Sequence, residues 1–169
     1  LRSDDTDGAL ALTWVGRRGG LEEDIVRRSG ITFRGIGLTG GVRGVGALAA
    51  VRSVFGLVVG FFQAIKAIRA ERPQAILATG GYVSVPAVLA GWLLRVPSLL
   101  YLPDMAPGWA VRFLAPLARR IAVTTDESVR YFKADKVFVS GYPVRASMFS
   151  QDRKAARESF GLDADARTI

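Results

Sequence analysis

The sequence predicts an α/β fold built as a doubly wound parallel sheet, and three features carry that prediction. Short apolar runs alternate with longer segments of helical character along the whole chain, the order expected when parallel strands are joined by crossover helices. The run Ala75–Ala78 is continuously apolar and ends near a glycine pair, as suits a strand buried on both faces. Glycines and prolines punctuate the strand ends, at Gly80-Gly81, at Pro103 and Pro107-Gly108, and at Gly141, where the chain must turn into its next helix.

Taken in order, Gly8–Gly16 reads as a strand ending in a turn. Leu21–Arg28 follows as a short helix with acids in its first turn and arginines in its last, the arrangement its dipole favours, and Gly30 closes it. Ile31–Ile36 is the next strand. The glycine-rich stretch from Gly35 to Gly46, with Arg34 and Arg43 nearby, reads either as a basic loop at a functional edge or as an ordinary connection.

Ala47–Arg69 is the longest helical segment. Its middle, Val54–Phe62, is apolar all round but falls short of the roughly 20 residues needed to span a bilayer. Two placements are open. The helix lies wholly in the core, or it packs one side on the sheet and leaves Phe55, Val59 and Phe62 exposed. In the second case Arg52 and Lys66, with Arg69 and Arg72, flank a patch suited to an anionic membrane surface.

The centre of the chain is Gln74–Leu94. It reads as a buried strand, the Gly80-Gly81 turn, and an apolar helix over Val85–Leu94 beginning near Ser84 and Pro86. Paired glycines permit a tight turn and close approach of a ligand, and the first free amides of a helix present partial positive charge to an anion. The turn is either a phosphate-binding lip or simply a tight connection. Arg95-Val96-Pro97 ends the helix, and Ser98–Leu102 is a further strand whose end, Pro103–Gly108, falls on the same sheet edge. Trp109–Ala118 is a helix, Ile121–Thr124 a strand, Asp126–Phe132 a short helix with Asp126 as its cap, and Val137–Val139 a last strand. Ser150–Phe160 is a polar helix capped by Ser150 or Asp152 and stopped by Gly161.

Composition narrows the chemistry. The 169 residues are 50% hydrophobic, enough for a substantial single core. With no cysteine and no histidine, the chain offers no disulfide, thiolate nucleophile, histidine base or usual zinc site. The pairs Asp4-Asp5, Glu22-Glu23-Asp24 and Asp126-Glu127 read as solvated turns or helix starts, so no metal and no cofactor are expected. A formal charge of +8 favours an anionic partner. Nucleic acid is disfavoured, because the basic residues are scattered among apolar helices without an aromatic-basic module.

Three segments, Ala78-Thr-Gly-Gly-Tyr-Val-Ser-Val-Pro86, Arg95-Val-Pro97 and Gly141-Tyr-Pro-Val-Arg145, together resemble the acceptor-side domain of the MurG family of cell-wall glycosyltransferases. The resemblance implies a Rossmann-like domain, one half of a two-domain GT-B enzyme. It would occupy residues 1–149 and lack the family's first strand and glycine loop, with 150–169 opening the linker to a missing second domain. The implied activity is inverting, metal-independent transfer of N-acetylglucosamine from UDP-N-acetylglucosamine, held mainly by the missing domain, to a polyprenyl-diphosphate-linked muramyl pentapeptide. The implied location is the cytoplasmic face of the bacterial plasma membrane.

Matched residue by residue, the resemblance assigns Gly80, Gly81, Tyr82 and Ser84 to the acceptor diphosphate or sugar. Tyr82 is alternatively an aromatic anchor for the turn. Asp104 stands where the family has the asparagine ending a His-Glu-Gln-Asn run, here Tyr101-Leu102-Pro103-Asp104. It is a candidate base or sugar ligand, or else a helix cap. Tyr142 replaces a family asparagine, and Arg145 binds substrate or pairs with an acid near a hinge. These departures leave two other readings open: a related transferase acting on diacylglycerol or another lipid, and a non-catalytic fragment that binds anionic lipid or phosphate.

Overall fold

A computed structural model describes residues 10–37, 47–145, 148 and 152–163, without the side chains of residues 47–52. The elements run β1 (Thr13–Arg17), α1 (Leu21–Arg28), β2 (Thr32–Ile36), α2 (Ala47–Glu71), β3 (Ile76–Ala78), α3 (Ser84–Leu93), β4 (Ser98–Leu102), α4 (Trp109–Leu114), β5 (Arg120–Val123), a 3-10 turn (Asp126–Tyr131), β6 (Val137–Val139) and α5 (Arg153–Ser159). Every strand pairing is parallel. The sheet comes in two pieces, β1-β2 and β3-β4-β5-β6.

Alternation along β4 sets the core. Ser98, Leu100 and Leu102 are buried on one face, joined there by Ile121 and Val123 of β5, and α3 and α4 cover that face with Val88, Val111 and Leu114. Each of the Leu, Ile and Val side chains removed from water there contributes about 1.5–3 kcal/mol. On the other face Leu77 and Phe138 remain exposed while Ala122 is buried.

Helix α2 resolves the two placements left open for it. Ser53, Gly56, Gly60, Ala64 and Ile68 are buried at helical spacing, and Ala64 and Ile68 pack with Ala90 of α3. Small side chains let the two helices approach closely. The outer face carries Phe55 and Phe62, 68% and 64% exposed, so α2 is not a wholly buried core helix. Val58 is exposed there and the expected Val59 is half-buried, because Val58 lies four residues before Phe62 and shares its face. Lys66 continues that face; the side chain of Arg52 lies outside the described residues. The stretch Ser53–Glu71 is long and apolar enough to cross a membrane by length and composition, longer than its nine-residue apolar middle suggested. The packing of its small residues on α3 assigns it instead to the helix layer of the α/β fold.

Several sequence boundaries move for identifiable reasons. Helix α4 stops at Leu114 instead of Ala118, since Pro116 cannot donate to the helix ladder. The segment after β5 is a 3-10 turn with Thr125, not Asp126, at its cap position. Asp152 does cap α5, accepting from the Lys154 amide at 2.9 Å; Ser150 lies outside the described residues. So do residues 1–9, which include Asp4-Asp5, residues 38–46 of the glycine-rich stretch, and the expected boundary at 149–150.

Arg34 is committed to structure. Its Nη2 and Nε meet Glu71 Oε1 at 2.6 and 2.8 Å, and Thr13 Oγ1 donates to the same carboxylate, so Glu71 fastens β1 and β2 to the end of α2. The Arg34 hydrogen bond holds the Glu71 carboxyl below the usual carboxylate range. A depressed folded-state pKa stabilises the fold above the unfolded value, and that contribution is lost as pH falls through the folded one. Acidification below the usual carboxylate range therefore increases amide exchange in β1 and β2 of the full-length protein, and Glu71→Gln removes that pH dependence, as hydrogen exchange followed against pH will show.

Candidate functional site

Because β3 to β6 are parallel, their carboxyl ends deliver Gly80, Pro103-Asp104, Thr124 and Ser140–Tyr142 to one edge of the sheet, the edge at which open α/β sheets bind ligands. The sequence expectation that the glycine turn and the Asp104 segment share an edge is met.

Gly80 and Gly81 both adopt left-handed backbone, with φ of 88° and 79°, a conformation that disfavours any side chain. Gly80 is also tightly covered: a Cβ placed on it would stand 2.9 Å from Val111 Cγ2 of α4. Among the described residues the amides of Gly80, Gly81 and Tyr82 donate no hydrogen bond, and Gly81 is exposed. These amides lead into α3, whose positive dipole end reinforces them toward an anion.

The hydroxyls of Tyr82 and Ser84 both donate within the protein. Ser84 Oγ donates to the Gly80 carbonyl at 2.5 Å, across the turn. Tyr82 Oη donates to the Ser53 carbonyl of α2, also at 2.5 Å, and burial pushes its phenol above the ordinary value, so it stays protonated as a donor. The Tyr82 ring lies 6.4 Å from that of Trp109, tilted by 60°. Tyr82 is thus an anchor joining the turn, α2 and α4, and the ligand-facing groups left at the turn are backbone amides.

Asp104 is exposed and makes no hydrogen bond or ion pair among the described residues. It does not cap α4, whose cap position is Gly108. The carbonyls on either side of it are held: Pro103 O accepts from Thr124 Oγ1 at 3.5 Å, and Met105 O accepts from the fully buried Ser128 Oγ at 2.9 Å. Its carboxylate is therefore presented from a pinned loop.

Tyr142 and Arg145 follow β6 on the same edge, both exposed. Arg145 pairs with no acid among the described residues, so the expected hinge ion pair is not formed there. Burial, with a further contribution from Tyr142, raises the Tyr101 phenol above its ordinary value, and Tyr101 Oη is buried without a hydrogen-bond partner among the described residues. No group of three or more acidic side chains able to hold a metal ion comes together among the described residues. Sequence reasoning missed Ser53, Val111 and Trp109. Only the last had a signal, an aromatic opening the helix next to the Asp104 loop.

The fold recurs in known structures. A crystal structure of MurG from Acinetobacter baumannii superposes with a TM-score of 0.62 at 22% identity, covering 80% of this chain and 38% of that one. UDP-GlcNAc 2-epimerase from Neisseria meningitidis, bound to UDP-GlcNAc, gives 0.54 at 12% identity over 76% of this chain and 37% of that one. At those identities the likeness bears on the fold alone, and it defines the class: a Rossmann-like half of a GT-B architecture.

The sequence narrows the class to one family. The chain belongs to glycosyltransferase family 28, matching the family's N-terminal domain over residues 7–123. It is 39% identical over 92% of its length to the UDP-N-acetylglucosamine--N-acetylmuramyl-(pentapeptide) pyrophosphoryl-undecaprenol N-acetylglucosamine transferase of Roseiflexus sp. (strain RS-1), covering 40% of that protein. The transferase of the same name from Treponema pallidum (strain Nichols) is 35% identical, with 92% of this chain and 41% of that protein covered. The chain thus spans less than half the length of these relatives.

The two glycines respond differently to a side chain. Gly81→Ala carries only the left-handed backbone penalty, about 1–2 kcal/mol. Gly80→Ala carries that and the overlap with Val111, so thermal unfolding of the full-length protein places its Tm below that of Gly81→Ala.

Proposed function

We propose that this chain is the acceptor-side domain of an enzyme that transfers N-acetylglucosamine from UDP-N-acetylglucosamine to undecaprenyl-diphosphate-N-acetylmuramoyl-pentapeptide, in peptidoglycan synthesis. The observation that carries the reading is the glycine turn, whose amides at Gly80, Gly81 and Tyr82 are unpartnered among the described residues, at the edge of the sheet. Backbone amides at the head of a helix suit a diphosphate, which needs several directed donors and no bulky side chain in its way. The identity to the Roseiflexus and Treponema transferases supports the same acceptor chemistry.

In this reading the domain is the first of two, with the donor nucleotide held mainly by the second. The edges of β1 and β3 that do not pair with each other would receive a first strand from sequence upstream. The lipid-linked diphosphate rests on the Gly80-Gly81 turn, which holds the acceptor sugar near the pinned Asp104. As the acceptor hydroxyl attacks the anomeric carbon, its proton passes to the Asp104 carboxylate and UDP departs with the electron pair of the broken bond. Fixing both substrates in that geometry supplies much of the rate.

The acceptor is reached from the bilayer. Phe55, Val58 and Phe62 form an exposed strip about 10 Å long on α2, continued by Lys66. An apolar strip with basic flanks suits the interface of an anionic membrane, so the enzyme acts as a peripheral protein at the cytoplasmic face.

The full-length protein, given labelled UDP-N-acetylglucosamine, puts sugar on the polyprenyl-diphosphate acceptor; label appearing only on diacylglycerol would reject this reading. Asp104→Asn lowers kcat by about 10²–10⁴ with Tm unchanged, and an undiminished kcat would remove the base role. Phe55→Asp combined with Phe62→Asp reduces co-sedimentation with anionic vesicles while circular dichroism stays native, since both rings are largely exposed.

A further inference from the structure

We propose that Tyr82 is a positioning residue that couples the membrane-seated helix α2 to the acceptor-holding turn. The proposal rests on the function argued above but concerns a link that neither the family nor the relatives' names assign.

The connection is direct. Tyr82 Oη donates to the main-chain carbonyl of Ser53, a residue only 4% exposed. Two residues further along α2, Phe55 points outward and begins the exposed strip that ends at Phe62. One short hydrogen bond therefore separates the helix that would rest on lipid from the turn that would take a lipid-borne diphosphate.

The turn has few other restraints. Ser84 Oγ closes it locally on Gly80, and Val111 stands over Gly80, but the only described side chain tying it to α2 is that of Tyr82. The Tyr82 ring also lies against Trp109, at the head of the helix that follows the Asp104 loop. Thus a phenol held by two rigid torsions sets the height of the Gly80 and Gly81 amides relative to α2, and of both relative to the β4–α4 loop.

The physical consequence concerns a substrate whose position is fixed by the bilayer. A diphosphate on a membrane-embedded lipid sits at one depth, so the turn must be held at a matching depth relative to the surface that α2 rests on. A soluble acceptor can adjust to the turn wherever it lies. Losing the tie should therefore penalise the membrane-borne acceptor much more than a soluble one, since misplacement by about 1 Å can cost on the order of a hundredfold in rate. A residue that only stabilised the fold, or that touched the diphosphate itself, would penalise both alike.

The test uses the full-length enzyme, wild type and Tyr82→Phe, which keeps the ring and deletes only the donor. kcat/KM is measured with polyprenyl-diphosphate acceptor in anionic phosphatidylglycerol vesicles and with a short-chain, water-soluble acceptor analogue in their absence. The proposal predicts that the loss on the vesicle-borne acceptor exceeds the loss on the soluble one by about tenfold or more, with vesicle binding and the KM for UDP-N-acetylglucosamine unaltered. It also predicts non-additivity: in the Phe55→Asp, Phe62→Asp background, where α2 no longer seats on lipid, Tyr82→Phe causes no further selective loss. Equal losses on the two acceptors, or none, with an active wild type would overturn this inference alone. A wild type inactive on both acceptors would overturn the proposed function together with it.

Discussion

Everything at the functional edge depends on three backbone amides that have no partner among the described residues. Buried main-chain donors are normally satisfied in a folded chain, and several of the other polar groups around this turn are. Ser84 satisfies the Gly80 carbonyl, Tyr82 spends its hydroxyl on α2, and Val85 donates to the Tyr82 carbonyl. Among the groups left is the donor row at Gly80, Gly81 and Tyr82, at the positive end of α3. Two successive left-handed residues create that row, and glycine is what makes two in succession affordable.

Helix α2 obeys a second constraint, having to be close-packed on one side and apolar on the other. Its inward stripe is small, Ser53, Gly56, Gly60 and Ala64, so its backbone lies near α3; its outward stripe is large, with Phe55 and Phe62. Hydropathy summed over residues 53–62 cannot distinguish these faces, since both are uncharged there. Size does, because large side chains can be buried only where there is volume for them. Under the proposed function, with a lipid-linked acceptor, a bilayer would cover the exposed aromatic face.

Much of the fold was legible in the sequence because its signals are local. The apolar runs of β4 and β6 and the charge-ordered helix α1 have the bounds their residues suggest, and the glycine turn lies where the glycine pair demands it. Helix α4 was overextended because its pattern continues past Pro116, whose missing donor decides the matter. The site was legible in its location and not in its partners. That Tyr82 and Ser84 bond to Ser53 and Gly80 is set by tertiary contact: Ser53 lies 29 residues away from Tyr82, and nothing in either residue type announces the pairing. The family pattern singles out these positions but carries no sign of the internal hydrogen bonds their hydroxyls make. Val58, by contrast, was available from spacing alone, as the helical neighbour of both Phe55 and Phe62.

The central claim is that the diphosphate is held by backbone donors at the glycine turn. Amide chemical shifts of the isotopically labelled full-length protein, followed while a short-chain sugar diphosphate acceptor analogue is titrated in, test it most directly. The account predicts that the Gly80, Gly81 and Tyr82 amides move together and saturably, with the downfield change of newly formed hydrogen bonds. Saturable binding of the same analogue that leaves those three resonances in place would contradict it.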